Sequence, residues 1–256
     1  MNLLKSAFVL LISAALLSSC GEIREEIVFN ENGAGTYDIS ADMIPMFRGM
    51  MTSMASLTID GADEMDSLQI AEEVEKLIWE EFPDKIDSTF AIPQKDIDRF
   101  KGNKSKKKLL DQATMYMKGG KVDGAMYTGM LFNFKSLEEF ITFNDMLDES
   151  NKNNKKMKMF SNSKTTLKVT PNSFYRYSKN SKKSKEEIEE KESDLMAMDF
   201  LKDMSITTYI EFPKKIKSIK VDGATIAERT DNSVTITYNL MGYADSESTL
   251  IDIQLE

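Results

Sequence analysis

The sequence predicts an α+β fold: an antiparallel sheet built from an N-terminal hairpin and a C-terminal meander, covered on one face by amphipathic helices. Three observations predict it. Apolar and polar residues alternate on both sides of a glycine-containing turn over residues 23–40, they alternate again through the last fifty residues, and between these regions apolar residues recur at spacings of three and four. Alternation is the signature of a half-buried strand, and the longer spacings mark one face of a helix.

In the hairpin, Ile23, Glu25, Ile27 and Phe29 share one face and Arg24, Glu26 and Val28 the other, Asn30–Gly35 supplies turn residues, and Thr36–Ser40 resumes the strand. Met43, Met46, Phe47, Met50, Met51 and Met54 follow at helical spacing. Pro45 fits only the first turn of a helix, which sets the start near Asp42. Asp66 or Ser67 caps the next helix, whose stripe Ile70, Val74, Leu77, Ile78 and Phe82 ends at Pro83. Trp79 lies at the edge of that stripe, where its N–H can reach a polar partner.

The basic run Lys101–Lys108 leads into a segment read as helical, with Leu109, Leu110, Ala113 and Met117 on one side. Residues 125–134 alternate with large side chains on both faces, which predicts a central strand. Ser136 and Glu139 form a capping box opening a helix that carries Leu137, Phe140, Ile141 and Leu147. A charged, mobile loop is expected near 148–158, then strands near Thr165–Val169 and Ser173–Tyr177. A second charged, mobile stretch follows near 178–193, in which Ser184, Glu187 and Lys191 open a surface helix running to about Leu201. The C-terminal meander comprises a strand with Ile206, Thr208, Ile210 and Phe212, closed by Pro213; Ile216–Val221; a strand with Val234, Ile236, Tyr238 and Leu240; and a last strand with Ile251, Ile253 and Leu255.

The amino terminus has its own logic. Lys5 precedes an apolar run, Ala7–Leu17, that is too short to span a bilayer, which takes roughly 20 residues, yet has the length of a signal-peptide core. Leu17-Ser18-Ser19-Cys20 then places the single cysteine of the chain after one large aliphatic and two small residues. This stretch resembles the lipobox of bacterial lipoproteins, and the resemblance implies cleavage before Cys20, a diacylglyceryl thioether on its sulfur and acylation of the new amino terminus. Residues 1–19 are thus expected to be a lipoprotein signal peptide and residues 20–256 one envelope domain, held to the membrane through lipidated Cys20 because two or more acyl chains suffice for stable anchoring. Gly21 is not the aspartate that retains many such proteins in the inner membrane, so the outer membrane is the favoured address.

Composition narrows the chemistry. The 237 residues after the signal suffice for a real core and carry a net charge of −10, one more negative than the whole chain because Lys5 leaves with the signal. An acidic chain has no general affinity for nucleic acid. With no histidine and no second cysteine, the sequence cannot build a Ser-His-Asp or Cys-His centre, the usual zinc sites or a disulfide. Neither a phosphate-cradling P-loop nor a dinucleotide fingerprint occurs. The stretch Asp60–Asp66 has its glycine in the wrong place for an EF-hand calcium loop.

Glu25–Ser40 together with Ile210–Leu240 resembles the LppM-type lipoprotein domain, in which a strand ending in Phe-Pro, a glycine turn and a Val-Thr-rich strand close a sheet begun by an N-terminal hairpin. The resemblance covers about fifty residues, carries no catalytic residue and implies a membrane-tethered, non-catalytic domain. The functional expectation is therefore a binding or structural lipoprotein that is not an enzyme, with no cofactor, no metal, no nucleic-acid partner, and an envelope protein or lipid as its partner. Two alternatives stand beside it: a carboxylate-dependent envelope hydrolase, and copper handling by the thioethers of the Met43–Met54 face. That face is read first as core or as an apolar contact surface, the ordinary uses of methionine.

Overall fold

The computed structural model describes residues 22–100, 102–153, 163–180, 204–239 and 248–256. Cys20 and the segment 184–201 lie outside these residues. The chain is α+β, as expected, but its strands form two sheets.

The hairpin of β1 (Glu22–Phe29) and β2 (Gly35–Asp42) pairs Ile27 with Tyr37 and Glu25 with Ile39. Its turn closes through Asn30 N–H to Ala34 O at 2.7 Å, with Gly33 at φ 78°, a conformation that glycine adopts without the penalty a side chain brings. Helix α1 (Ile44–Ser53) starts where Pro45 and Asp42 predict, the Asp42 carboxylate accepting from Ile44 N–H at 3.0 Å and Met126 N–H at 3.2 Å. Helix α2 (Ser67–Glu81) opens with a complete capping box: Asp66 accepts from Leu68 and Gln69 N–H at 2.9 Å, and Gln69 accepts from Asp66 N–H at 2.9 Å. Trp79 donates to Glu75 at 2.7 Å, and the same carboxylate takes both arms of Arg48 from α1 at 2.8 and 3.1 Å.

Strand β3 (Ile86–Ala91) is an edge strand that the sequence pattern does not announce, since five of its six residues are exposed. Helix α3 (Lys104–Leu110), capped by Asn103, is shorter than expected. Ala113 and Met117 belong instead to β4 (Ala113–Gly120), where Met115 shares their face. Strand β5 (Ala125–Phe134) lies between β2 and β4, a central strand as predicted. Helix α4 (Leu137–Asn153) begins where the sequence predicts, with Ser136 Oγ accepting from Glu139 N–H at 3.2 Å, though the Glu139 carboxylate accepts from Lys135 N–H at 2.8 Å and not from Ser136 N–H; it continues through 148–153, so the expected loop there is helical up to Asn153.

The C-terminal half contains β6 (Ser163–Thr170), β7 (Ser173–Asn180), β8 (Ser205–Glu211), β9 (Ile216–Asp222), β10 (Thr225–Arg229), β11 (Ser233–Asn239) and β12 (Ser248–Leu255). The segment 178–180, expected to be loop, belongs to β7. The single meander divides. Among the described residues, one sheet has eight strands in the order β10-β11-β8-β1-β2-β5-β4-β3, and the other has four in the order β6-β7-β12-β9. All pairings are antiparallel except β1 with β8, which run parallel. Pro213 explains the division: it has no N–H to continue the ladder after Phe212, and Ile216 donates instead to Asp231 O at 2.7 Å, swinging β9 beneath the first sheet to pair with β12.

The inner face of the large sheet is covered in two parts. Over β1, β2, β8 and β11 lie the small sheet and α4, enclosing Ile27, Phe29, Tyr37, Phe132, Phe140, Phe143, Phe174, Ile210, Ile236 and Ile253 in one core. Phe132 and Phe143 stack with centroids 3.9 Å apart. Over the β3–β5 end lie α1 and α2, with Ile44, Val74, Ile78 and Met126 forming a second core. Helices thus cover one face as expected, α1 and α2 at one end and α4 at the other, where a second sheet shares the covering.

One buried ion pair joins the sheets. Arg176 on β7 donates to both carboxylate oxygens of Glu25 on β1 at 2.5 and 2.8 Å, and Thr208 on β8 donates to Glu25 at 2.8 Å. Burial alone would raise the Glu25 pKa, but the Arg176 charge and the hydrogen bonds from Arg176, Thr208 and Tyr37 outweigh it and hold the carboxyl below its usual range. Glu25 falls on the inner face by its odd position in β1, so this pair lies between the sheets, with Glu25 buried and Arg176 nearly so.

Candidate functional site

Among the described residues no helix or second sheet covers the outer face of the large sheet, and on it the polar half of each alternation gathers. Register brings Glu26 opposite Asp38, Ser40 opposite Gly129, and Tyr116 opposite Gly129 from the other side. The result is an open cleft of about 190 Å³ lined by Arg24, Glu26, Asp38, Ser40, Tyr116 and Tyr127. Gly129 is the reason Tyr116 can lie across the strand: a Cβ there would stand 2.6 Å from the Tyr116 ring and hydroxyl and 2.8 Å from the Ile39 carbonyl. Only glycine leaves room for the ring at that position.

Laid over Gly129, Tyr116 donates its hydroxyl to Asp38 at 2.7 Å. Burial pushes the Tyr116 pKa up to about 12, and the Asp38 carboxylate that accepts its hydrogen bond adds to the shift. Burial also raises Asp38, against the pull of Tyr116 and Lys118. The Lys118 ammonium lies 5.0 Å from the Tyr116 ring centroid and the Arg24 guanidinium 5.5 Å from that of Tyr127, both within cation–π reach. Arg24 is also bonded to Glu22 at 2.6 Å, which raises its pKa further. Two cations, two carboxylates, a hydroxyl and two phenol rings in a shallow open site can hydrogen-bond and stack on a polar ligand or a polar segment of a partner. The strongly shifted Tyr116 is a hydrogen-bond donor held in place, not a base.

The residues singled out in the sequence are distributed elsewhere. Cys20 lies outside the described residues, two positions before β1. The methionine face divides: Met43, Phe47 and Met51 pack against the second core, while Met46, Met50 and Met54 remain 37%, 51% and 44% exposed. Of the basic run, Lys101 lies outside the described residues and Lys104–Lys108 belong to α3, with Lys106 paired to Glu149 at 2.6 Å. Asp60–Asp66 makes a short 3₁₀ turn and the α2 cap. Among the described residues no cluster of three or more Asp, Glu, His or Cys side chains is arranged to hold a metal, and no helix is long and apolar enough to cross a membrane. Except for Tyr116, which fell in a segment read as helical, the cleft residues were legible as positions on strands, but their convergence depends on register.

No family model matches this chain, and no curated protein matches it. Among solved structures, the NMR structure of the folded domain of Mycobacterium tuberculosis LppM matches with a TM-score of 0.39 at 10% sequence identity, covering 92% of this chain and 89% of that one.

Proposed function

We propose that this chain is a bacterial lipoprotein of the cell envelope, anchored through lipidated Cys20, and that its domain binds rather than catalyses. The outer membrane is the favoured address, and the polar face of the large sheet is the surface offered to an envelope protein or lipid partner. The observation that carries the binding reading is the cleft itself. It is open, and its best-positioned acid–base pair, Tyr116 and Asp38, is tied together in one hydrogen bond. The anchor reading rests on the Leu17–Cys20 stretch and on β1 beginning two residues later. Metabolic labelling with a palmitate analogue is expected to mark the wild type, and Cys20→Ala is expected to abolish the label and shift the protein out of the membrane fraction. Equal labelling of the two would sink the anchor reading.

One observation favours a second reading, a carboxylate-dependent hydrolase. Glu26 and Asp38 face each other across β1 and β2, where facing Cβ atoms stand about 4.5–5.5 Å apart. That placement is compatible with the roughly 5–5.5 Å carboxyl separation of retaining glycosidases. The binding reading predicts no release of reducing ends from peptidoglycan or envelope polysaccharides by the wild type. Turnover that Glu26→Gln or Asp38→Asn reduces by about a hundredfold or more would replace it with the hydrolase reading.

A further inference from the structure

We infer that the exposed methionine row of α1 docks on the bilayer surface and fixes the orientation of the domain on the membrane. The inference rests on the reading that Cys20 is the point of lipid attachment. Three observations carry it together.

The first is position. Ile23 pairs with Ala41, so the end of the sheet at which β1 enters is the end at which β2 leaves, and α1 begins two residues after β2 finishes at Asp42. From Cys20 to Glu22 the chain can reach at most roughly 7 Å. An anchor at Cys20 therefore holds this end of the sheet, and α1 with it, in the interfacial layer.

The second is the surface α1 presents there. Met46, Met50 and Met54 form one i,i+4 row with 37%, 51% and 44% exposure, and Leu57, just beyond, is 81% exposed. These are four of the eight large exposed apolar side chains among the described residues, gathered within twelve positions. Flexible thioethers suit an irregular acyl and headgroup boundary.

The third is charge. Although 29% of the chain is charged, the seventeen residues Met43–Ile59 contain one charged side chain, Arg48, and it is paired with Glu75 of α2. No free charge on this stretch has to be stripped of water as the row enters the interface. A short tether also makes docking intramolecular, so a modest apolar area suffices where it would not for a free protein. The acidic chain is not drawn to anionic lipid, which makes a neutral surface the appropriate occupant.

The test uses the chain from Cys20 onward, coupled through its single cysteine to maleimide-phosphatidylethanolamine in phosphatidylcholine vesicles, so it does not depend on whether cells lipidate Cys20. Palmitate labelling of the native protein reports separately on the anchor reading. Oxidation of individual methionines by chloramine-T, a charged oxidant, is followed by mass spectrometry. In the coupled chain Met46 and Met50 are expected to oxidise about tenfold more slowly, or slower still, than in the uncoupled chain mixed with the same vesicles. Met46→Glu with Met50→Glu is expected to remove the protection of Met54, whereas Met46→Leu with Met50→Leu keeps it, because leucine preserves the apolar surface without the thioether. Equal oxidation with and without coupling would overturn the docking surface whatever the labelling shows. Protection by cuprous ion alone, without vesicles and lost in the leucine variant, would overturn it in favour of metal binding.

Discussion

Truncation after Leu240 is expected to unfold the whole domain. The truncation removes β12, the strand between β7 and β9, and with it Ile251, Ile253 and Leu255, which are buried in the core shared by both sheets. Full burial of such a side chain stabilises by about 1.5–3 kcal/mol, so the loss approaches the roughly 5–15 kcal/mol that holds a domain of this kind folded. The ladder loss compounds it. Strand β9 has no strand partner other than β12 among the described residues, so Ile216, Ile219 and Val221 lose their place as well. Circular dichroism of the truncated chain is expected to show no cooperative melt. A transition as stable as that of the full chain would mean that the two sheets fold independently, contrary to the core they share.

The same strand shows how far the sequence could be read. Alternation at Ile251, Ile253 and Leu255 announced a strand with one buried face, and the structure has it. Alternation carries no information about which sheet provides the partner, so the division of the meander at Pro213 was invisible until Ile216 could be seen to bond to Asp231. Strand β3 was missed because an edge strand exposed on both faces has no hydrophobic period to detect. Strand β4 was misread for a different reason: Ala113 and Met117 are four apart, a spacing that serves one helix face and one strand face equally well. Met115 was the deciding residue, since a helix would turn it away from both and a strand puts all three on the core side.

The candidate cleft was legible in its parts and not in its assembly. Arg24, Glu26, Asp38 and Ser40 stand at the polar positions of a hairpin that the sequence declares openly, and Tyr127 at the opposite parity of a strand that was correctly placed. What brings Tyr116 onto Asp38 is a glycine on a neighbouring strand, Gly129, and the register that sets it beneath the ring. Nothing local to residues 24–40 encodes that contact. The same limit applies to Glu25, which shares a face of its strand with Ile23, Ile27 and Phe29. Its partner is 151 residues away.

Glu25→Gln is expected to cost about 3–5 kcal/mol, because it leaves Arg176 charged and buried without its counter-ion. The pair lies between the two sheets, accepts a further hydrogen bond from Thr208, and leaves Arg176 little water-facing surface, 13% of its side chain, on which to relax. Removing both partners tells a different story. Replacing Glu25 with leucine and Arg176 with methionine trades the desolvated pair for apolar contact with Ile27, Phe174 and Ile251, and stability is expected to remain within about 1 kcal/mol of wild type or to rise by about 1–4 kcal/mol. The pH dependence distinguishes the two further. Glu25 is held below its unfolded pKa of about 4.3, so between that value and the folded one the unfolded chain binds the extra proton. Stability from the pair is therefore complete above about pH 4.3 and is lost as pH falls through the folded value. Melting temperatures measured downward from pH 7 are expected to drop more steeply on the acid side for the wild type than for the double variant. A single Glu25→Gln variant that loses less than about 1 kcal/mol, or a double variant with an unchanged acid limb, would show that the pair is solvated and that the sheets are held together by their aromatic core alone.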